Sequence, residues 1–211
     1  GLANATSDWI QFLDADDELL KGKLAGQFSR VKPDIAFIVG NSIHVFPDGR
    51  RHYRKSDTEI WKGLIRSKLG DTCANLWNKN DLLMVGGWNE KLSSSQEYDL
   101  MFRLASSNPY VVFDNRYLTL IYKTENSIST HLGKKKKRSK NWLKLRDKIR
   151  KHLVNSRKFH LLNKYYWAGA VGMFCDENQI DFPGEVDKWF YQLYKMEISI
   201  KKKTYNWLKF N

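Results

Sequence analysis

Cysteine is nearly absent from this chain: Cys73 and Cys175 are the only two among 211 residues. Neither is spaced to the other, or to a histidine, as zinc ligands or a disulfide framework would require. A reducing cytoplasm is the setting expected for such a chain. Long apolar runs are missing as well. The longest candidate, residues 165–175, is too short for a membrane span, which takes about 20 residues. No signal peptide is visible, although the chain begins at Gly1 and not at methionine. Convincing internal repeats are also missing.

What the chain does have is aromatic side chains and basic charge. With 8 Trp, 10 Tyr and 11 Phe it is far from a disordered composition, and its length suffices for one sizeable core with an appendage. The charge is unevenly placed. Residues 1–132 hold 16 Lys+Arg and 16 Asp+Glu, whereas residues 133–211 hold 20 and 7, so the whole excess of +13 lies in the second stretch. That shift marks a boundary near Gly133 and predicts a domain over 1–132 and a basic helical extension over 133–211.

The chemistry is concentrated where Trp9-Ile10-Gln11-Phe12-Leu13 runs into Asp14-Ala15-Asp16-Asp17-Glu18. Ile10, Phe12 and Leu13 suit a buried strand, with the acids where that strand leaves the sheet. Like charges packed so closely raise the energy of an empty site. A hard divalent cation, Mg²⁺ or Mn²⁺, removes the penalty. Asp14, Asp16 and Asp17 are the candidate ligands, and a metal held there can carry a diphosphate. A strand followed by an Asp-rich turn that caps the next helix accounts for the same residues without any metal.

The preceding residues bear on that choice. Residues 1–17, from Gly1-Leu2-Ala3-Asn4-Ala5 through Asp17, resemble the middle of family-2 glycosyltransferases, where a segment close to N-x-G/A-x-x-x-A-x-G-x-Y/W-I-x-F-L-D-A-D-D leads into a D-x-D metal motif. Ser7-Asp8 stand here where that family often has a small residue and Gly. Two later blocks extend the resemblance. Gly86-Gly87-Trp88-Asn89-Glu90 is similar to the G-G-F/W-D/N-E stretch that opens the acceptor side. Gln96-Glu97-Tyr98-Asp99, with Arg103 beyond it, is similar to E-D-x-D/E-L-x-x-R, whose second acid is the catalytic base. The resemblance therefore implies Glu97 as base and Gly86, Gly87, Trp88, Gln96 and Asp99 on the acceptor side. It implies a structural ion pair for Arg103. Gln96 replaces the usual first acid, and Glu97 is longer by a methylene than the usual Asp. Residues 123–129 resemble a closing Y-R-x-H-x-x-S-I-S segment without its histidine, and His131 is the nearby candidate contact for metal or phosphate.

The fold implied is GT-A, an α/β mixed sheet flanked by helices. The family's nucleotide-binding half, with V-S-V-I-I-P-x-Y-N and V-V-D-D-G-S segments, is largely missing, and the expectation is the C-terminal part of a longer protein. The activity implied is transfer of a sugar from a nucleotide-sugar donor, a UDP-sugar first among them, to a hydroxyl of a glycan or lipid-linked acceptor, with inversion, in cell-envelope or polysaccharide synthesis. An inactive, truncated relative is one alternative.

Between these blocks, Leu19, Leu20, Leu24 and Phe28 predict an amphipathic helix, and residues 35–39 a buried strand. A hairpin is expected around Pro47-Asp48-Gly49, with His44 and His52 facing each other and no carboxylate spaced to join them. Residues 57–68 predict a helix with Ile60, Trp61, Leu64 and Ile65 inward. Residues 110–113 and 117–122 predict two strands. In the extension, Trp142, Leu145, Ile149 and Leu153 alternate with basic residues as one amphipathic helix, and two more follow. Such a tail suggests either contact with an anionic membrane surface, making the protein peripheral on the inner face of the cell membrane, or packing as a structural cap. Nucleic-acid binding by the tail is the second alternative function, without any accompanying RNA- or DNA-binding signature.

Overall fold

The computed structural model describes residues 1–124 and 135–210, with side chains for residues 1–124 and 136–204. The chain folds as two compact units, Gly1–Asn141 and Trp142–Asn211. The charge shift at Gly133 lies ahead of that division.

The first unit is built on a mixed sheet whose centre is β3 (Phe37–Val45). Eight of its nine residues are buried, as expected of a strand covered on both faces. Parallel to it runs β6 (Val111–Tyr122), with Phe37 opposite Val111 and Val45 opposite Tyr122. The other side of β3 is shared. Phe37 and Ile38 pair antiparallel with β5 (Leu76–Asn78), and residues 42–45 pair antiparallel with β4 (Arg51–Arg54). Two-residue strands finish the edges: β1 (Trp9–Ile10) on β5 and β2 (Glu18–Leu19) on β6. The order is β1-β5-β3-β6-β2. Helices α1 (Lys23–Phe28), α2 (Ile60–Arg66), α3 (Lys79–Met84) and α4 (Gln96–Ser107) flank this sheet. The architecture is the α/β mixed sheet with helices that the sequence predicts. Ile35, Ile38 and Leu76 form a core cluster with Trp9, Val31 and Val112, and the buried Trp77 ring stacks on Phe37 at 5.2 Å.

Several local expectations are corrected. The strand before the acids stops at Ile10, and Leu13 is 50% exposed, because the chain there leaves one edge of the sheet for the other. The helix expected from Leu19 to Phe28 begins only at Lys23, after β2, and its faces are reversed. Lys23 and Gln27 are buried, while Leu24 and Phe28 are 45% and 58% exposed. The buried pair serves carbonyl groups: Gln27 Nε2 donates to Ala74 O at 3.0 Å, and Lys23 reaches Asn75 O at 3.4 Å. The two segments around 35–39 and 43–45 are one strand with register shifts on either side of Asn41, and the pair expected at 110–122 is likewise continuous. Helix α2 keeps its expected inner face of Ile60, Trp61, Leu64 and Ile65, and starts at Glu59, whose carboxylate accepts from Trp61 N at 2.9 Å.

The second unit is helical: most of α5 (Lys135–Asn155), then α6 (Leu161–Asn178) and α7 (Lys188–Phe210). Gly169 and Gly172 of α6 leave room for the rings of Tyr194 and Tyr191 of α7, positions where a Cβ would collide with those rings. On α5, Leu145, Ile149 and Leu153 are buried, and Trp142 stacks on Phe174 at 4.0 Å with the Arg146 guanidinium 4.0 Å over its ring. This apolar face is packed in protein, so it is not available to enter a lipid interface. Among the described residues no helix is long and apolar enough to cross a membrane.

Candidate active site

Between β1 and β2 the chain crosses the sheet from edge to edge, and the acids lie on that crossing. Residues 14–17 form a tight turn, closed by Asp17 N donating to Asp14 O at 3.1 Å. Asp14 and Asp16 are exposed on it, and among the described residues neither carboxylate has a hydrogen-bond or ion-pair partner in the protein. Asp17 differs. Its Oδ1 accepts from Tyr122 N at 3.2 Å and its Oδ2 from the Cys73 thiol at 3.1 Å. Burial raises its pKa, the two bonds oppose that, and the neighbouring Asp14 and Asp16 charges add to it. The expected ligand trio is thus two open carboxylates and one fastened to the fold. Beneath the turn, Gln11 Nε2 donates to Cys73 O at 2.8 Å and the Lys23 ammonium group bonds Gln11 Oε1. Burial pulls Lys23 down to about 7 against the pull of Cys73 and Asp114.

The glycine pair ends α3. Val85 N, Gly86 N and Gly87 N donate back to Asp81, Leu83 and Leu82 carbonyls, and both glycines take positive φ, 76° and 63°, where a side chain would be strained. That turn delivers Trp88, whose ring packs edge-on against Phe12 at 5.6 Å. Helix α4 follows and carries Gln96 and Glu97 in its first turn.

These three segments meet. A cavity of about 630 Å³ is lined by Phe12, Asp14, Thr72, Trp88, Ser95, Gln96, Glu97 and Tyr98. One acid of the D-A-D-D turn, the Trp after the glycines and the expected base share its wall. A second cavity of about 470 Å³ includes Gly86, Gly87, Trp88, Lys91 and Arg103 in its lining, so Trp88 borders both. Asp99 is not in the lining of either cavity. Its carboxylate is only 4% exposed and accepts from Arg103 Nε at 2.9 Å, so it holds the helix arginine. Gln96 Nε2 donates to Leu92 O at 2.6 Å, which fixes the residue before Glu97. His131 and the segment around it lie outside the described residues.

Glu97 is supported from behind by a polar network absent from the sequence reading. Asp71 accepts from Ser42 Oγ, lies 3.3 Å from His44 Nε2 and 3.4 Å from Arg54 Nε. Arg54 Nη2 donates to Ser67 O at 2.9 Å and approaches the Tyr98 hydroxyl at 3.4 Å, while Tyr98 donates to Gly70 O at 3.2 Å. His44 and His52 do face each other across the hairpin, with ring centres 6.2 Å apart, and a carboxylate reaches His44: Asp71, supplied from a distant segment. Burial alone would raise Asp71, yet the bond to His44, the Arg54 charge and the Ser42 hydroxyl outweigh it and hold the group low. Glu97 goes the other way. Burial and then the Asp71 charge push it up to about 8, against Thr72 and Arg54. Glu97 Oε1 is buried and has no hydrogen-bond partner. A carboxylate so placed has an affinity for protons suited to a general base near neutrality.

Residues 1–87 match the family model described as glycosyl transferase family 2. Over that stretch the chain is similar to family-2 glycosyltransferases. The match takes in Asp14, Asp16, Asp17 and the glycine pair and ends just before Trp88. No curated protein sequence matches this chain. Among solved structures, the fold is similar to that of S. aureus TarS 1-349 in complex with UDP-GlcNAc, with a TM-score of 0.55 at 12% identity over 90% of this chain. The mannosyltransferase PcManGT from Pyrobaculum calidifontis, in complex with GDP-Man and Mn²⁺, gives a TM-score of 0.47 at 11% identity over 95% of this chain. The chain spans 60% of the first and 63% of the second. At such identities the likeness to TarS is one of fold, and the likeness to family 2 in sequence is confined to residues 1–87.

Among the described residues no three His, Cys, Asp or Glu side chains converge as a finished metal site. The donor chemistry nevertheless fits a hard dication. Asp14 and Asp16 are exposed carboxylates two residues apart on one turn, free of protein partners, and Mg²⁺ habitually takes one or two carboxylates and completes its shell with water and substrate phosphate. Asp17, engaged by Cys73 and Tyr122, is not needed for that shell.

Proposed function

We propose that this protein transfers a sugar from a nucleotide-sugar donor to an acceptor hydroxyl, with inversion at the anomeric carbon. The observation that carries the reading is the 630 Å³ cavity in which Asp14 and Glu97 share a wall with Trp88. Asp14 and Asp16 would hold Mg²⁺ or Mn²⁺, which when bound offsets the charge of a departing diphosphate. Glu97 accepts the acceptor's hydroxyl proton as the oxygen forms its bond to the anomeric carbon. The bond from that carbon to the donor phosphate breaks, and the nucleoside diphosphate leaves with the electron pair. Inversion needs the attacking and departing groups on opposite faces of the sugar. The base on α4 and the acids on the crossing segment are separate elements that suit this requirement.

Trp88 offers an apolar ring for the face of a sugar, and its place at both cavities suits a division between donor and acceptor. TarS, whose fold is similar, is held with UDP-GlcNAc, which supports a nucleotide sugar, and a UDP-sugar first. The acceptor class favoured is a glycan or a lipid-linked glycan.

The experiment is release of nucleoside diphosphate from a panel of UDP- and GDP-sugars with Mn²⁺, comparing the wild-type chain with Glu97→Gln and with Asp14→Asn/Asp16→Asn. The reading expects metal-dependent release that both variants lose. Equal release by wild type and Glu97→Gln, or no release from any donor, overturns it.

A further inference from the structure

Helix α7 has two apolar faces, and only one is covered. Tyr191 and Tyr194, 3% and 7% exposed, lie against Gly172 and Gly169 of α6. On the far side stand Trp189, Leu193, Met196 and Ile200, exposed by 65%, 37%, 59% and 59%. Their spacing of four, three and four places them in a band about 60° wide, roughly opposite the two tyrosines, at the helical 3.6 residues per turn. An exposed apolar stripe on three turns of one helix is an unusual cost for a free surface.

The charge around the stripe selects its occupant. Lys188 and Lys203 are exposed on one side of it, and no carboxylate pairs with them among the described residues. Lys195 and Lys201 are engaged by Asp176 and Glu197. A second copy of this chain would bring another +13 body, with the same lysines, against the same face. An anionic surface meets no such repulsion. A Trp-bearing apolar stripe flanked on one side by Lys188 and Lys203 is the pattern of a helix that lies in the plane of a bilayer.

We propose that the exposed face of α7 docks on an anionic lipid bilayer, with Trp189, Leu193, Met196 and Ile200 entering the headgroup boundary and Lys188 and Lys203 facing the acidic headgroups. This surface is distinct from the α5 face, which is buried. The proposal is independent of the transferase reading.

Co-sedimentation of the full chain tests it, with vesicles of phosphatidylcholine alone and of phosphatidylcholine with phosphatidylglycerol. Binding is expected to the anionic vesicles only, and to weaken with salt. Met196→Asp/Ile200→Asp should lower the bound fraction about tenfold or more, and Lys188→Glu/Lys203→Glu should reduce it while removing its salt dependence. Because all four positions are exposed, circular dichroism and the thermal midpoint should match wild type. Equal binding to both vesicle types, no binding at low salt, or binding unchanged in Met196→Asp/Ile200→Asp overturns the proposal. So does concentration-dependent dimerisation abolished by that variant, or RNA that competes for the stripe in its place.

Discussion

The Cys73 thiol donates to Asp17 Oδ2 at 3.1 Å. A residue on the loop before β5 thereby fastens the last acid of the D-A-D-D turn, while Asp14 and Asp16 stay open. The fold has divided three adjacent-looking carboxylates into one anchor and two available ligands.

This division can be measured. Asp17→Asn should lower stability by about 1–2 kcal/mol, the cost of a weakened and a lost hydrogen bond in a half-buried place. Its Mn²⁺ affinity should stay within about threefold of wild type, because its oxygens are already used. Asp16→Ala should leave stability unchanged and abolish metal-dependent turnover. Urea unfolding and Mn²⁺ titration by electron paramagnetic resonance separate the two. A larger loss of metal affinity in Asp17→Asn than in Asp16→Ala would return Asp17 to the ligand set.

Glu97→Gln should reduce turnover by roughly 10²–10⁴, the usual worth of a general base. It should also change the response to pH. The folded Glu97 holds its proton to about 8, while an unfolded Glu releases it at about 4.3. Its contribution to stability is therefore full below the unfolded value and is lost as pH rises through the folded one. Glu97→Gln should flatten that decline. Urea midpoints at about pH 5 and about pH 8 give the comparison. An identical decline in both proteins would remove Glu97 as its source.

Lys23 acts with the opposite sign, at higher pH. Its folded value of about 7 lies below the ordinary 10.5, so its contribution is present above the unfolded value and is lost as pH falls through about 7. Lys23→Met should abolish the gain in stability between those limits. It should also leave Gln11 Oε1 and Asn75 O without this donor. The slope of unfolding free energy against pH, measured above about pH 8, isolates Lys23 from Glu97.

Asp99→Asn should be costly to the fold and mild for catalysis. Removing a mostly buried partner leaves the Arg103 charge poorly matched, for about 1–3 kcal/mol after allowing for the partial exposure of Arg103. Turnover at a temperature where the variant is folded should fall far less than in Glu97→Gln. If turnover collapses in Asp99→Asn and survives in Glu97→Gln, the base lies at Asp99.

The residues legible in the sequence are those whose role is set by close neighbours. The acids of 14–17 occupy one turn, Gly86 and Gly87 end one helix, and Glu97 heads another, so each stands in a short contiguous block, and the resemblance to family-2 blocks is what marks Glu97 and the glycines. The contacts of Asp71 with His44 and Arg54 carry no such local mark, because Asp71 lies 27 residues from His44 along the chain. The reversed faces of α1 have a similar cause. Carbonyl groups of Ala74 and Asn75 needed donors, and Lys23 and Gln27 supplied them. Apolar spacing records where oil can be buried, and it is blind to a backbone group in another segment that needs a partner. On α5 the pattern of Leu145, Ile149 and Leu153 was correct, but its choice between lipid and protein depended on whether other residues would cover it.

The acidic turn hangs on a segment tied down at both sheet edges by strands of two residues each. Its span is set by the breadth of the sheet beneath it, so its length is a tolerance in the engineering sense. One residue removed from positions 11–17 should unpair one anchor or open the turn. One residue added has nowhere to go except the turn itself. Composition along this strap should tolerate change better than its residue count does. A library of single insertions and deletions across 11–17 would thus be far less forgiving than a library of substitutions over the same seven positions.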